Sequence, residues 1–361
     1  MSSNLSILAL SLYHHTEEME GIARFAREAG WALRFVICSA ETIPKNRKFD
    51  GMLLIHPYES DEMKGFIAES QIPKVMIGRP PHNYPLPYVW YDLEQAMNMA
   101  VEYFIARSYK HIGLIEHVRY IDLYKTIKGQ ISDAGCESVI FNAKKLLTQL
   151  AKAPKPLAII AVDDDWARDI YMICEDLGLQ VPEQVAILGT SNTRYICEFN
   201  IVPLSSVATQ VSDCAYLAAQ KLQEMMNGET VSSELLPPQE IAVRESTALP
   251  AIADLRVAKA LKILQKNFHQ PMTIESVATE CGLNRYSLDL LFKTELNYTM
   301  KGYLQNLRML EAERLLIKGD LAINEIASAV SYKNHVSFLR AFQNCHNCSP
   351  SEFRKRQTHE E

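Results

Sequence analysis

The chain has 361 residues, 48% of them hydrophobic and 22% charged, and a formal net charge of −6. That length exceeds one ordinary core, the apolar content is ample for two or three, and no run of about eighteen apolar residues is available to cross a membrane. The short apolar run 5–12 has neither a basic lead-in nor a small-residue cleavage site, so it reads as a first β-strand of a cytoplasmic protein rather than a signal peptide.

From there to about residue 245, strand-like and helix-like segments alternate, the pattern of parallel sheets with helices on both faces. Strands are predicted at 5–12, 33–38, 51–55, 74–77, 111–115, 158–162 and 185–188, and helices at 17–29, 94–107, 166–177 and 213–226. The alternation resumes near residue 110 after a connection, so two similar lobes and a cleft between them are expected. In open α/β sheets a ligand sits beyond the carboxyl ends of the strands. The polar and aromatic residues at those ends are Tyr13 with His14, His56 with Tyr58, Asp163 with Trp166, and Ser191 with Asn192. For a sugar, such carboxylates, hydroxyls and amides would pair with ligand hydroxyls while an aromatic ring covers the C–H surface. Trp90 reads equally as pocket wall or core. Asp163-Asp164-Asp165 resembles a magnesium site less than a helix start, with Asp164 or Asp165 as the N-cap.

Periodicity breaks at 246–253, a linker, and a basic helical segment follows. Residues 254–356 hold 15 Lys and Arg against 10 Asp and Glu, a charge of +5 that leaves −11 for the remainder. Charge separated in this way draws phosphates to one domain. Two helix-turn-helix plans lie within it. The first runs through 273–278, a turn at Cys281-Gly282-Leu283 and a helix over 284–296. The second runs through 323–327, a turn at Ser331-Tyr332 and a helix over 334–345. Ala278 and Ala327 allow close helix crossing, Leu283 and Tyr332 plug the corners, and Phe292, Phe338 and Phe342 anchor the second helices inward. Between them Tyr303, Leu304, Leu307, Leu310, Leu315 and Leu316 form an apolar stripe. A helix over 300–318 spans about 28 Å. One turn of B-DNA advances about 34 Å, so this spacer suits two recognition helices in successive major grooves.

The run Tyr303-x4-Arg308-x3-Ala312-x2-Leu315-Leu316, then Ile323-x-Glu325-Ile326-Ala327, Phe338-x-Arg340-x-Phe342 and Ser349-Pro350-x2-Phe353-Arg354 resembles the DNA-binding domain of AraC/XylS-type transcription activators. Ser331 stands where that family usually has glycine in the second turn, and Asn297 and Asn347 stand where it usually has glycine after each recognition helix. The resemblance directs Arg285, Tyr286, Ser287, Asp289 and Leu290 of the first unit toward the groove, with Arg285 suited to guanine. In the second unit His335, Ser337 and Arg340 are the expected readers, Arg340 toward phosphate, with Lys333 and Arg354 to Arg356 also on phosphate. Upstream, the runs 49–54, 106–114, 177–189 and 243–247 resemble the core of LacI-type regulators and periplasmic sugar-binding proteins, although Ser191 replaces their frequent Asp and Thr209 their frequent Gln. This domain order is similar to that of the xylose-operon regulators.

The expected architecture is therefore an α/β two-lobed periplasmic-binding-protein-like domain (1–245), with parallel sheets and helices on both faces. It is followed after the linker by an all-α domain with two helix-turn-helix units (254–361). The expected function is a ligand-responsive, sequence-specific DNA-binding regulator and not an enzyme. Its expected partners are double-stranded DNA, a small-molecule effector of carbohydrate or related type, a second copy of the chain, and RNA polymerase. The effector stays open between a sugar, another metabolite and none, the last making the cleft a dimerisation device only. No cofactor or metal is expected. Cys345-His346-Asn347-Cys348 lacks further ligands for zinc, and an alkyl-accepting thiolate needs a Cys/His cluster from which Cys38 stands apart. The eight scattered cysteines fit reduced thiols.

Overall fold

The run Gly51–Ile55 is buried at every position, which requires a sheet covered on both faces. The computed structural model describes residues 5–11, 16–37, 47–56, 61–79, 86–116 and 120–357, and builds two six-stranded sheets of this kind within residues 1–248. The first sheet takes β1 (Ser6–Ser11), β2 (Ala32–Ile37), β3 (Gly51–Ile55), β4 (Lys74–Ile77) and β5 (Tyr88–Tyr91), with α1 (Thr16–Ala29) and α2 (Asp61–Glu69) as connections. The chain then passes to the second lobe through α3 (Leu93–Ala106), β6 (His111–Glu116), α4 (Ile121–Asp133), β7 (Glu137–Asn142), α5 (Leu146–Lys152), β8 (Leu157–Ile160), α6 (Asp164–Asp176), β9 (Val185–Ser191), α7 (Arg194–Glu198) and β10 (Ser205–Ala208). Helix α8 (Val211–Met226) returns to pack on β3, β4 and β5, β11 (Glu234–Leu236) pairs with β5, and β12 (Ile241–Ala242) crosses back to pair with β10. The strand orders are β11-β5-β4-β3-β1-β2 and β12-β10-β9-β8-β6-β7, parallel throughout except for β12 against β10. Three crossings therefore join two similar lobes, as the alternation of segments implied.

The compact units divide between Ala248 and Leu249. Ser246 is fully buried in the first, donating to the Ile187 carbonyl at 2.6 Å and accepting from the Ser205 amide at 2.8 Å. Leu249 and Ile252 are buried in the core of the second.

The second unit holds α9 (Leu255–Asn267), α10 (Ile274–Glu280), α11 (Arg285–Leu296), α12 (Met300–Lys318), α13 (Ile323–Ala329), α14 (His335–His346) and α15 (Pro350–Gln357). Its helix starts are capped as their residues dictate: Thr273, Asn284, Thr299 and Asn334 each accept a backbone N–H of the first turn. Two cores form. One gathers Leu261, Val277, Leu288, Phe292, Met300 and Leu304, and the other Met309, Ala312, Leu316, Ile326, Phe338 and Phe342. Helix α12 is unbroken and gives its first half to one core and its second half to the other. The apolar stripe predicted on it needs correction at Leu310, which is 52% exposed: at about 100° per residue, burying Met309 and Ala312 turns Leu310 outward. Arg308 lies between the two halves. Its Nε donates to the Phe268 carbonyl at 2.9 Å, its Nη2 to that of Gln270 at 3.2 Å, and its guanidinium lies over the Tyr332 ring.

The two turns use different residues for one backbone shape. Gly282 has φ +72° and Ser331 has φ +60°, both left-handed, while Asn297 (φ +58°) and Asn347 (φ +54°) cap α11 and α14 in the same region.

Candidate functional site

A cleft of about 390 Å³ opens in the first unit at the carboxyl ends of β3, β5, β8 and β9. His56, Asp163 and Ser191, expected there from strand ends, do line it, and Trp90 lines it as well. Tyr13, His14, Tyr58 and Cys38 lie outside the described residues. Trp166 and Asn192 are not among the lining residues. The indole of Trp166 packs against the second-lobe core, because the residue after the first helical positions turns back toward the sheet. The Asn192 side-chain oxygen accepts from Arg244 Nη2 at 2.8 Å.

The walls are aromatic and acidic. Trp90 meets His56 edge-on at 4.7 Å and lies beside Tyr91 at 4.7 Å. His56 Nε2 is 3.2 Å from Glu18 Oε1. Burial, with Glu18, Asp164 and Glu20 nearby, pushes the Glu17 carboxyl up to about 7. Burial likewise raises Asp163 and Asp164 to about 6 each. Asp163, rather than Asp164 or Asp165, caps α6, accepting the Trp166 amide at 2.7 Å. Asp164 instead joins the start of α6 to β10 and to the turn after β9, accepting from Ser206 Oγ at 2.6 Å and from the Thr193 amide at 2.7 Å. A Cβ on Gly189 would stand 2.2 Å from Asp164 Oδ1, so this clasp requires glycine there. His56 (φ +44°), Ser191 (φ +116°) and Asn192 (φ +61°) hold left-handed backbone at the cleft rim, a conformation that surrounding structure must enforce.

The sequence reading passed over Glu17, Glu18, Arg79, Tyr120, Thr193 and Tyr195, which also line the cleft. Glu17, Arg79 and Thr193 follow strand ends, so the rule that found His56 could have found them. Tyr91, beside Trp90 at the end of β5, lines the cleft as well.

On the helical unit, the residues expected to face DNA fall into two groups. Tyr286 is 80% exposed, and Lys333, His335, Ser337 and Arg340 are exposed on and just before α14. Arg285 is engaged: its Nη1 donates to Glu275 Oε1 at 2.6 Å and its Nε is 3.7 Å from Asp289 Oδ2. Asp289 Oδ1 accepts the Met300 amide at 3.1 Å, and Ser287 donates its amide to the Asn284 cap. Arg354, grouped with the phosphate contacts above, donates to the Leu321 carbonyl at 2.6 Å and braces its own domain. Among the described residues no group of three His, Cys, Asp or Glu is placed to hold a metal.

Residues 277–356 match the family described as a helix-turn-helix domain, and residues 101–247 that described as a periplasmic binding protein-like domain. The xylose operon regulatory protein of Escherichia coli K12 is 30% identical over 215 residues, 58% of this chain and 54% of that protein. The protein of the same description from Haemophilus influenzae is 27% identical over 270 residues, 74% of this chain and 68% of its own. The chain thus spans about half the length of the Escherichia coli relative. A solved structure of a xylose-binding transcription activator shares the fold over 98% of both chains, with a TM-score of 0.67 at 22% identity. The chain joins a periplasmic-binding-protein-like domain to an AraC-type helix-turn-helix domain.

Proposed function

We propose that this chain, a cleft domain joined to paired helix-turn-helix units, is a ligand-responsive transcription regulator that binds specific DNA and senses a sugar or related small metabolite between its lobes. The observation that carries the reading is the unbroken helix α12 shared by two helix-turn-helix cores. A stiff spacer of about 28 Å suits two successive major grooves. Residues 1–245 form the sensing domain and 254–361 the DNA-binding domain, joined by 246–253, whose first residues pack into the one and last into the other. His56, Asp163 and Ser191 contact the ligand with Tyr13 and His14, against the aromatic wall of Trp90. Lys333, His335, Ser337 and Arg340 face DNA from α14, and α11 faces the neighbouring groove. The regulator works in the cytoplasm and catalyses no reaction. Among the described residues no helix is long and apolar enough to cross a membrane.

It acts as a homodimer, a reading supported by Phe199 and Ile201, 85% and 83% exposed on one surface loop of the sensing domain. RNA polymerase is a further partner at the promoter. A ligand that binds open and closed lobes unequally shifts their balance, and so which DNA half-sites two chains hold together. The test is a titration of dimer and operator binding with and without xylose and related sugars. A ligand-dependent change in affinity or half-site spacing is expected; identical DNA binding across every sugar that occupies the cleft removes the sensing half of the proposal.

A further inference from the structure

Helix α11 and helix α14 occupy equivalent places in the two helix-turn-helix units, yet their exposed faces differ in chemistry. On α14 the exposed run is His335, Ser337 and Arg340, with Val336 among them. On α11 the two most exposed apolar side chains are Tyr286 (80%) and Leu290 (56%). They lie four residues apart, hence on one face and one above the other. Neither joins the core that α11 helps to build, which takes Leu288 and Phe292.

The polar group best suited to a base on α11 is already occupied. Arg285 donates to Glu275 of α10 at 2.6 Å and approaches Asp289 from the other side. Asp289 is in turn committed to the first amide of α12. Turning Arg285 to guanine would break its contact with Glu275.

In the major groove only one base offers apolar surface, the C5 methyl of thymine. We propose that α11 reads thymine methyl groups through Tyr286 and Leu290, while Arg285 stays clamped between Glu275 and Asp289 and reads no guanine. The operator then has two unlike halves, a thymine-centred one under α11 and a polar-read one under α14. This rests on the DNA-binding function proposed above. The +5 charge of 254–356 supplies the general attraction to phosphate that a methyl contact lacks.

The test uses the full chain. Its preferred site is first selected from randomised duplexes, and thymines in that site are then replaced one at a time by uracil, which removes the methyl and leaves base pairing intact. Losing a buried methyl-sized group is expected to weaken binding about fourfold at each contacted thymine. The same replacements should have no effect on Leu290→Ala or Tyr286→Ala protein at the position each residue touches, a coupling that a purely structural role would not produce. Both side chains are exposed, so these variants keep the fold. A selected site whose uracil forms bind like the original overturns the proposal, as does a required guanine whose contribution disappears in Arg285→Ala. Failure to select any sequence instead overturns the DNA-binding function on which the proposal rests.

Discussion

In the sensing unit, Glu17 and Asp163 of the cleft wall and the buried Asp164 beside them are pushed upward, each chiefly by burial. In the helical unit, Glu275 and Glu311 are held below the usual carboxylate range, Glu275 by its own backbone N–H and then by Arg285, Glu311 by Arg314. One region confines charge where water cannot solvate it. The other leaves charge in solvent and balances it with nearby partners. The cleft should therefore respond to protons and to hydrogen-bonding ligands, and the helical unit to salt and phosphate.

The sharpest way to break this contrast is to disable one region and watch the other. Phe338→Ala empties a fully buried site in the second helical core and is expected to cost about 3–5 kcal/mol of that unit's stability by denaturant unfolding. DNA binding should fail with it while sugar binding in the cleft persists; joint loss would show that the two units do not act separately. Next in size is salt. If about six phosphates are neutralised, operator affinity should fall on the order of 10³-fold between about 50 and 200 mM salt, whereas binding of an uncharged sugar should barely move. Lys333→Ala should lower the salt slope by about 1.

A smaller effect concerns pH. A carboxyl raised in the folded state takes up a proton on folding between its two values, so stability falls as pH rises through that window. For Glu17 the window runs from 4.5 to about 7. The sensing unit should melt at a higher temperature at pH 5.5 than at pH 8, and Glu17→Gln should flatten that difference. An unchanged pH profile in the variant would show that Glu17 carries no part of it. The smallest effect is Ser331→Gly. The left-handed backbone strains serine and not glycine, so the second unit should gain about 0.5–1 kcal/mol, measured by the same unfolding curves. A loss would mean that the serine side chain itself holds the turn.

The helical unit was legible in the sequence because its signals are local. Two alanines at the crossings, Leu283 and Tyr332 at the corners and the inward phenylalanines recur at fixed offsets, and each falls where the structure needs it. Left-handed backbone at Asn297 and Asn347 was legible from the family resemblance rather than from local signals, and Ser331 adopts the same region where that family usually has glycine. Leu310 was misread because one stripe was drawn along a helix that serves two cores in succession. In the sensing unit, strands with long apolar runs were plain, whereas β5, β7 and β10 were not. Tyr88–Tyr91 has only four residues, and its aromatic side chains gain their places from partners distant in sequence. The cleft was legible at strand ends only. Whether a side chain there turns to the ligand or back to the core, as between Asp163 and Trp166, depends on the first turn of a helix that the sequence locates to within a residue or so.

Because α12 belongs to both cores and Arg308 fastens its middle to the carbonyls of Phe268 and Gln270, the two readers behave as one rigid ruler. A base change under either reader weakens one contact. Inserting a single base pair between the half-sites displaces the second by about 3.4 Å and rotates it around the duplex, a mismatch that no side chain on a fixed spacer can absorb. The proposed regulator should therefore tolerate misspelling in its operator far better than misspacing.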